Sequence, residues 1–448
     1  MTQTKKSASR SKRALLASAL GFAVLAAGSV LLRGAQSDDG DAAASDAQKQ
    51  MTAEGRQTFR FDTFGDEAFW GGALKLHQAV AGSKLGGVGT GVSPRTALAV
   101  GLKVDVDALP ESLRGDLAQG RVNLDDPANT LALLKLNAVL GLTGFFDASG
   151  RIQSMGIQCA LCHSTVDNSF APGIGHRLDA WANRDLNVGA IVALAPDLSV
   201  IANLLGVDEA TVRTVLNSWG PGKFNAELLL DGKAFRPDGK SAAVLIPPAF
   251  GLAGVNLGTW TGFGSTTYWN VLVANLEMHG QGTFYDPRLN DPQQFPIAAK
   301  AGFGNVRNSP DLITSKLAAL HFYQLAIPAP KAQAAVDPFN FLASEGKALF
   351  NGRAQCARCH VPPLFTEPGF NMHTADEIGI DDFQAKRSPT GRYRTAPLKG
   401  LFTHEKGGFY HDGRFATLRA VVDHYDDFLK TGLTDDEKNE VVAYLQTL

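Results

Sequence analysis

Two hexapeptides constrain this chain more than any other feature: QCALCH over Gln158–His163 and QCARCH over Gln355–His360. Between them they hold all four cysteines of the 448 residues. Four cysteines can form two disulfides, and a CxxC pair can serve as a redox dithiol or as half of a zinc site. The histidine after each pair points elsewhere. In CxxCH both thiols add across the vinyl groups of a haem, and the adjacent imidazole reaches the iron from the same side. Two copies that leave no cysteine over predict two covalently bound c-type haems. One is expected on Cys159 and Cys162 with His163 on the iron, the other on Cys356 and Cys359 with His360. Disulfides and zinc are the readings that compete with this one.

The start of the chain fits that chemistry, because haem is attached to such proteins outside the cytoplasm. Residues 5–13, KKSASRSKR, carry five basic side chains, and the nineteen residues 14–32 carry no charge. A basic run before an apolar stretch is an export signal. This one just reaches the length that spans a bilayer and shows no clean small-residue cleavage site. A cleaved signal and an uncleaved anchor both stay open over 1–34, and both predict a periplasmic location. Residues 35–55 begin small, polar and acidic, and read as a flexible linker. The net charge of −2 gives no electrostatic case for nucleic acid. Glycine, at 47 residues, runs above the ~7 % average and predicts long loops.

The predicted fold is all-α: two tandem cytochrome c-type haem domains, 56–334 and 335–448. The first is enlarged by long loops and by an N-terminal extension, 56–125, whose role the sequence does not give. A helix is expected over 130–142 before the first motif, and 315–325 is expected to close that domain. AIPAPKAQAAVDP (326–338) marks the boundary. In the second domain, Leu342, Gly346, Leu349 and Phe350 stand at helical spacing ahead of the motif. A terminal helix opens on a capping box, Thr434 and Glu437, with a stripe of Val441, Val442, Tyr444, Leu445 and Leu448. Gly346 would allow those two helices to cross closely.

Two CxxCH domains, the second ending in YRTAPLKGLFTHEKGGFYHDGRFATLRAVVDHY (393–425), resemble the bacterial di-haem cytochrome c peroxidase superfamily. Its relatives include the methylamine-utilisation di-haem enzyme and the rubber oxygenases. The resemblance is strongest over 335–448, patchy over 150–330 and absent before 125. It implies that the residue before His-Asp-Gly is the distal ligand of the second haem. That residue is Tyr410, where the peroxidases usually have Met and the methylamine-utilisation enzyme is expected to have Tyr. His411 is its rival, and both could equally be supporting residues. APGIGHR (171–177) resembles the segment that carries a displaceable distal histidine, here His176. Trp260 matches the tryptophan between the haems, although WTGF replaces the usual Trp-Asp-Gly-Arg. NLEMHG (275–280) resembles the family's Glu-Met pair, which implies a place for Glu277 over the first haem. A calcium ion between the domains is also implied, without any dense carboxylate loop to support it.

Each residue has a plain alternative. Glu277 could be a solvated helix charge, His176 a hydrogen-bonded loop histidine and Trp260 ordinary core. His279, His321 and His373 read as structural. The function these features predict is a periplasmic peroxidase-like oxidoreductase. The second haem would take electrons from a small donor protein, a cytochrome or cupredoxin, and the first would react with peroxide or a related oxidant. Glu277 would be the acid/base there, with His176 and Trp260 assisting. The alternatives are a two-haem electron carrier without turnover and an oxygenase of the same superfamily.

Overall fold

The computed structural model describes residues 45–336, 340–367 and 369–448. The expected signal or anchor over 14–32 lies outside them, and among the described residues no helix is long and apolar enough to cross a membrane. The chain divides into two units, 1–53 and 54–448, and both haem motifs belong to the second. Of the linker expected over 35–55, the described residues, 45–55, are helical.

The fold is mainly helical, but it is not purely so. Among the described residues, ten short strands pair into five two-stranded sheets, so the all-α expectation holds only as far as a mainly helical chain. One pair positions the first motif. The helix expected over 130–142 runs only from Pro127 to Lys135, capped by the Asp126 side chain. Asn137 and Gly141 then take left-handed backbone conformations that no helix can continue through. Leu142–Phe146 follows as a strand and pairs antiparallel with Ile152–Ile157. The Asp147 carboxylate accepts from the backbone N–H of Ser149 and Arg151 to close the turn between them. The second strand runs straight into Gln158 and the motif. The closing helix of this region is present, as Leu317–Ala326.

In the C-terminal region the helices Phe341–Asn351 and Asp435–Leu445 pack face to face. A Cβ at Gly346 would collide with the Glu440 carbonyl, so the close crossing does require glycine there. The capping box of Thr434 and Glu437 is formed. The terminal stripe is buried at Val441, Tyr444 and Leu445, with Val442 and Leu448 packed beside them. The first helix turns a different edge inward than expected: Ala343, Gly346 and Phe350 are its buried residues, while Leu342 stands 58 % exposed.

Among the described residues, every hydrophobic cluster draws its members from one side of residue 335 or the other. Polar groups join the two sides, beside isolated ring contacts such as Trp181 with Phe402. Arg387, wholly buried, reaches Asp231 and Asn225, and Gln384 donates to Glu227. This join aligns two motif-bearing regions without a shared oily core.

Candidate functional site

At the first motif, Gln158 is held by its side-chain amide, which donates to the Thr143 hydroxyl. A single helical turn, Ala160–His163, follows Cys159. The Cys162 carbonyl accepts from the Asn183 N–H at 2.9 Å. Both cysteines are free thiols, as are those of the second motif, so no disulfide forms. Burial pushes the Cys159 and Cys162 thiols up to about 12. Burial likewise holds His163 down at about 4, against a smaller upward pull from the Pro247 carbonyl. Its imidazole is therefore neutral at pH 7, as an iron ligand must be.

Two buried carboxyls face this motif. Glu277 ends a π-helical turn, Val273–Glu277, a distortion that often marks functional sites. Its Oε1 has no hydrogen-bond partner. Burial drives its pKa well above the usual carboxylate range, with the Glu227 charge adding to the effect. Glu277 in turn lies near enough to Cys162 to raise that thiol. The second carboxyl, Asp66, comes from the N-terminal extension and is raised to about 9, mainly by burial. It accepts from the Ile157 N–H at 3.2 Å and bears on Cys159. No motif in the sequence points to Asp66. The extension also lays Phe59 and Phe64 over Ala160 and Cys159 in one apolar cluster, which gives it a role as cover for the motif.

His176 sits elsewhere. Its ring is exposed and pairs with Asp107, with Nδ1 2.9 Å from the carboxylate, and this contact raises its pKa. His279 is half-buried and stacked on Phe69. His321 is half-buried, with Nε2 unpartnered.

The second motif opens onto a cavity of about 440 Å³, within the ~300–1,000 Å³ typical of small-molecule and cofactor sites. Cys356, Cys359 and His360 line it on one side, with Tyr410, His411, Tyr425 and Trp260 also in its wall. His360 Nδ1 meets the Phe365 carbonyl at 3.1 Å. A proton on Nδ1 fixes the tautomer and leaves Nε2 as the lone-pair donor. Tyr410 holds a left-handed backbone conformation at φ 68°. Its buried hydroxyl and the buried Nε2 of His411 both lack a partner in good geometry. Burial lowers His411 to about 4 and raises the Tyr410 phenol, with Tyr425 beside it. A flat group carrying a metal at its centre suits such walls. It would use the two thiols, the free Nε2 of His360 and one of the two unpartnered groups.

Zinc fits less well. Cys359, Glu367 and His373 bring ligand atoms within 4.8 Å of one another. However, the Glu367 carboxylate already serves His373, Thr395 and Asn371. His373 also lines the cavity, so it is more than a remote structural residue.

A short segment joins the two motifs. The Leu245 N–H donates to the His411 carbonyl at 2.7 Å, and the Leu245 carbonyl accepts from the Trp260 indole at 2.9 Å. Two residues on, Pro247 borders the second cavity while its carbonyl acts on the His163 ring. Trp260, contributed by the first region, thus forms part of the second cavity.

No protein-family model matches the chain. The methylamine utilization protein MauG of Methylorubrum extorquens is 31 % identical over 125 residues, covering 24 % of this chain and 34 % of that protein. The matched part is thus about a third of MauG, and it supports the resemblance at the level of the superfamily. Among solved structures, xenon-pressurized hydrazine synthase of Kuenenia stuttgartiensis is similar at 19 % identity and a TM-score of 0.22. That alignment covers 36 % of this chain and 60 % of that one, a likeness too slight to argue from.

Proposed function

We propose that the chain is an exported di-haem c-type oxidoreductase of the cytochrome c peroxidase kind, with its chemistry beside the first motif. The observation that carries this reading is Glu277, an enclosed carboxyl with an unpartnered oxygen next to Cys162. When bound, haem supplies an electron-exchanging iron whose sixth position can take peroxide or a related small oxidant. The protein supplies the proton. Burial raises the Glu277 pKa well above the usual carboxylate range, which favours a proton held at its carboxyl, where it can deliver one and take one back. Its enclosure keeps bulk water from competing for that proton.

The second site suits electron transfer, because Tyr410 and His411 each offer an unpartnered atom in the cavity wall that would serve as a further ligand beside His360. A small periplasmic donor, a cytochrome or cupredoxin, would pass electrons there. Trp260, hydrogen-bonded to the Leu245 carbonyl, and the Leu245–Pro247 segment lead from there toward the His163 ring, on which the Pro247 carbonyl acts. His176 has no part in this reading, since it is committed to a surface ion pair with Asp107.

Glu277→Gln removes the proton and keeps the shape. Peroxide turnover should fall by about 10²–10⁴, with the reduced spectra of both haems intact. Unchanged turnover would remove Glu277 from the mechanism. A protein whose haems bind neither cyanide nor peroxide in any redox state is an electron carrier instead.

A further inference from the structure

Two arginines in the wall of the second cavity, Arg184 buried and Arg394 half-buried, have no counter-charge. Arg394 donates from its backbone N–H to the Trp260 carbonyl at 3.1 Å and from Nε to the Thr259 carbonyl. Its Nη1 has no partner. Arg184 comes from the first region, directly after Asn183, the residue that holds the Cys162 carbonyl. Its Nε and Nη1 are both buried and unpartnered. Both residues line the cavity.

Burial pulls each guanidinium down to about 10, and no acid counters it. The acids that do line the cavity are engaged elsewhere. Asp426 serves Lys438, Thr431 and the Leu433 N–H, and Glu377 serves Thr374. A neighbouring histidine, His404, is held near 3 by burial and by Arg184. Uncompensated buried charge is among the costliest arrangements a fold can contain, and planar guanidinium forks match carboxylates. This wall therefore calls for carboxylate ligands.

We infer that Arg184 and Arg394 form a carboxylate clamp for the cofactor bound at Cys356, Cys359 and His360, gripping the propionate groups of its porphyrin. The inference rests on the haem reading of that motif. It adds that the first region supplies half of the grip on the second region's cofactor. Arg184 also sits one residue from the partner of Cys162, so the clamp lies between the two motifs.

The test uses the full-length haem-loaded protein. Intact mass first establishes covalent haem at both motifs. Redox titration followed optically then compares wild type with Arg184→Gln, Arg394→Gln and the matching Lys variants. Each Gln variant should retain both haem masses and lower the reduction constant of the second haem by about tenfold, or about 59 mV for a one-electron couple. The first haem should shift less, and the Lys variants should recover most of the change. Loss of haem from the second motif alone in the Gln variants, restored by Lys, supports the clamp equally.

An unchanged second potential in both Gln variants overturns it. So does a wild-type second haem that responds to added acetate in a manner abolished by the Gln variants, since the arginines would then serve a carboxylate from solution. A chain with no haem mass at Cys356 and Cys359 overturns the cofactor reading itself, which is a distinguishable failure.

Discussion

Arg387 offers the sharpest test of how the two motif-bearing regions are held together. Its side chain and that of Asp231 are both 0 % exposed. Nε meets Asp231 Oδ2 at 2.8 Å, and Nη2 meets Asp231 Oδ1 at 2.9 Å, which makes a two-pronged pair. Nη2 also reaches Asn225 Oδ1 at 2.8 Å, and Nη1 reaches the Ala242 carbonyl at 3.1 Å. Every partner comes from the other side of residue 335. Arg387→Met keeps most of the volume and leaves Asp231 buried with only the Lys233 ammonium, 4.0 Å away, as counter-charge. Breaking a buried pair in this way costs about 3–5 kcal/mol, or roughly 10²–10⁴ in the equilibrium it stabilises. Urea unfolding followed by far-ultraviolet circular dichroism should register that loss. Asp231→Leu alone should be similarly damaging. The double variant Arg387→Met/Asp231→Leu should lose clearly less than the sum, because the two-pronged pair is then removed as a whole and only Glu227, 3.9 Å from the guanidinium, loses a charged neighbour. A cost below about 1 kcal/mol for Arg387→Met, or strict additivity in the cycle, would refute the claim that this pair carries the join.

Two further perturbations probe the sites themselves. Of Tyr410→Phe and His411→Gln, one should convert the second haem from a six- to a five-coordinate optical and EPR signature while the other leaves it nearly unchanged; no change in either variant would show that neither residue is the sixth ligand. Asp66, raised to about 9 from its ordinary 3.8, keeps a proton in the folded chain that the unfolded chain releases. Its contribution is therefore fully present below pH 4 and is lost as pH rises toward 9. Asp66→Asn should flatten that decline when urea midpoints are compared at pH 5, 7 and 9, and an equally steep decline in the variant would place the pH dependence elsewhere.

What could be read from the sequence was local. CxxCH is a contiguous signal whose chemistry follows from residue type and spacing, and so is the capping box of Thr434 and Glu437. Gly346 was legible because helical spacing put it on the packed face. The paired strands were not. Most are only two or three residues long, too short for alternation to show. The helix expected over 130–142 failed because the apolar run continues past Lys135 into a strand, and composition alone cannot tell a buried strand from a buried helix.

Charged residues posed the deepest difficulty. Arg184, Arg387, Arg394 and Asp66 stand in unremarkable sequence contexts, and each would pass for a solvated surface charge. Only long-range packing reveals that they are buried or half-buried, as with Asp66 against Ile157 across 91 positions. His176 shows the reverse case: a motif-like Gly-Ile-Gly-His segment whose ring the fold turns to the surface and pairs with Asp107.

The central claim is that both CxxCH motifs carry covalent haem, and intact-protein mass spectrometry after acid-acetone extraction tests it most directly. The mature chain should retain two haem additions, with peptide mapping placing one on Cys159 and Cys162 and the other on Cys356 and Cys359. A chain that retains one haem or none would contradict the account.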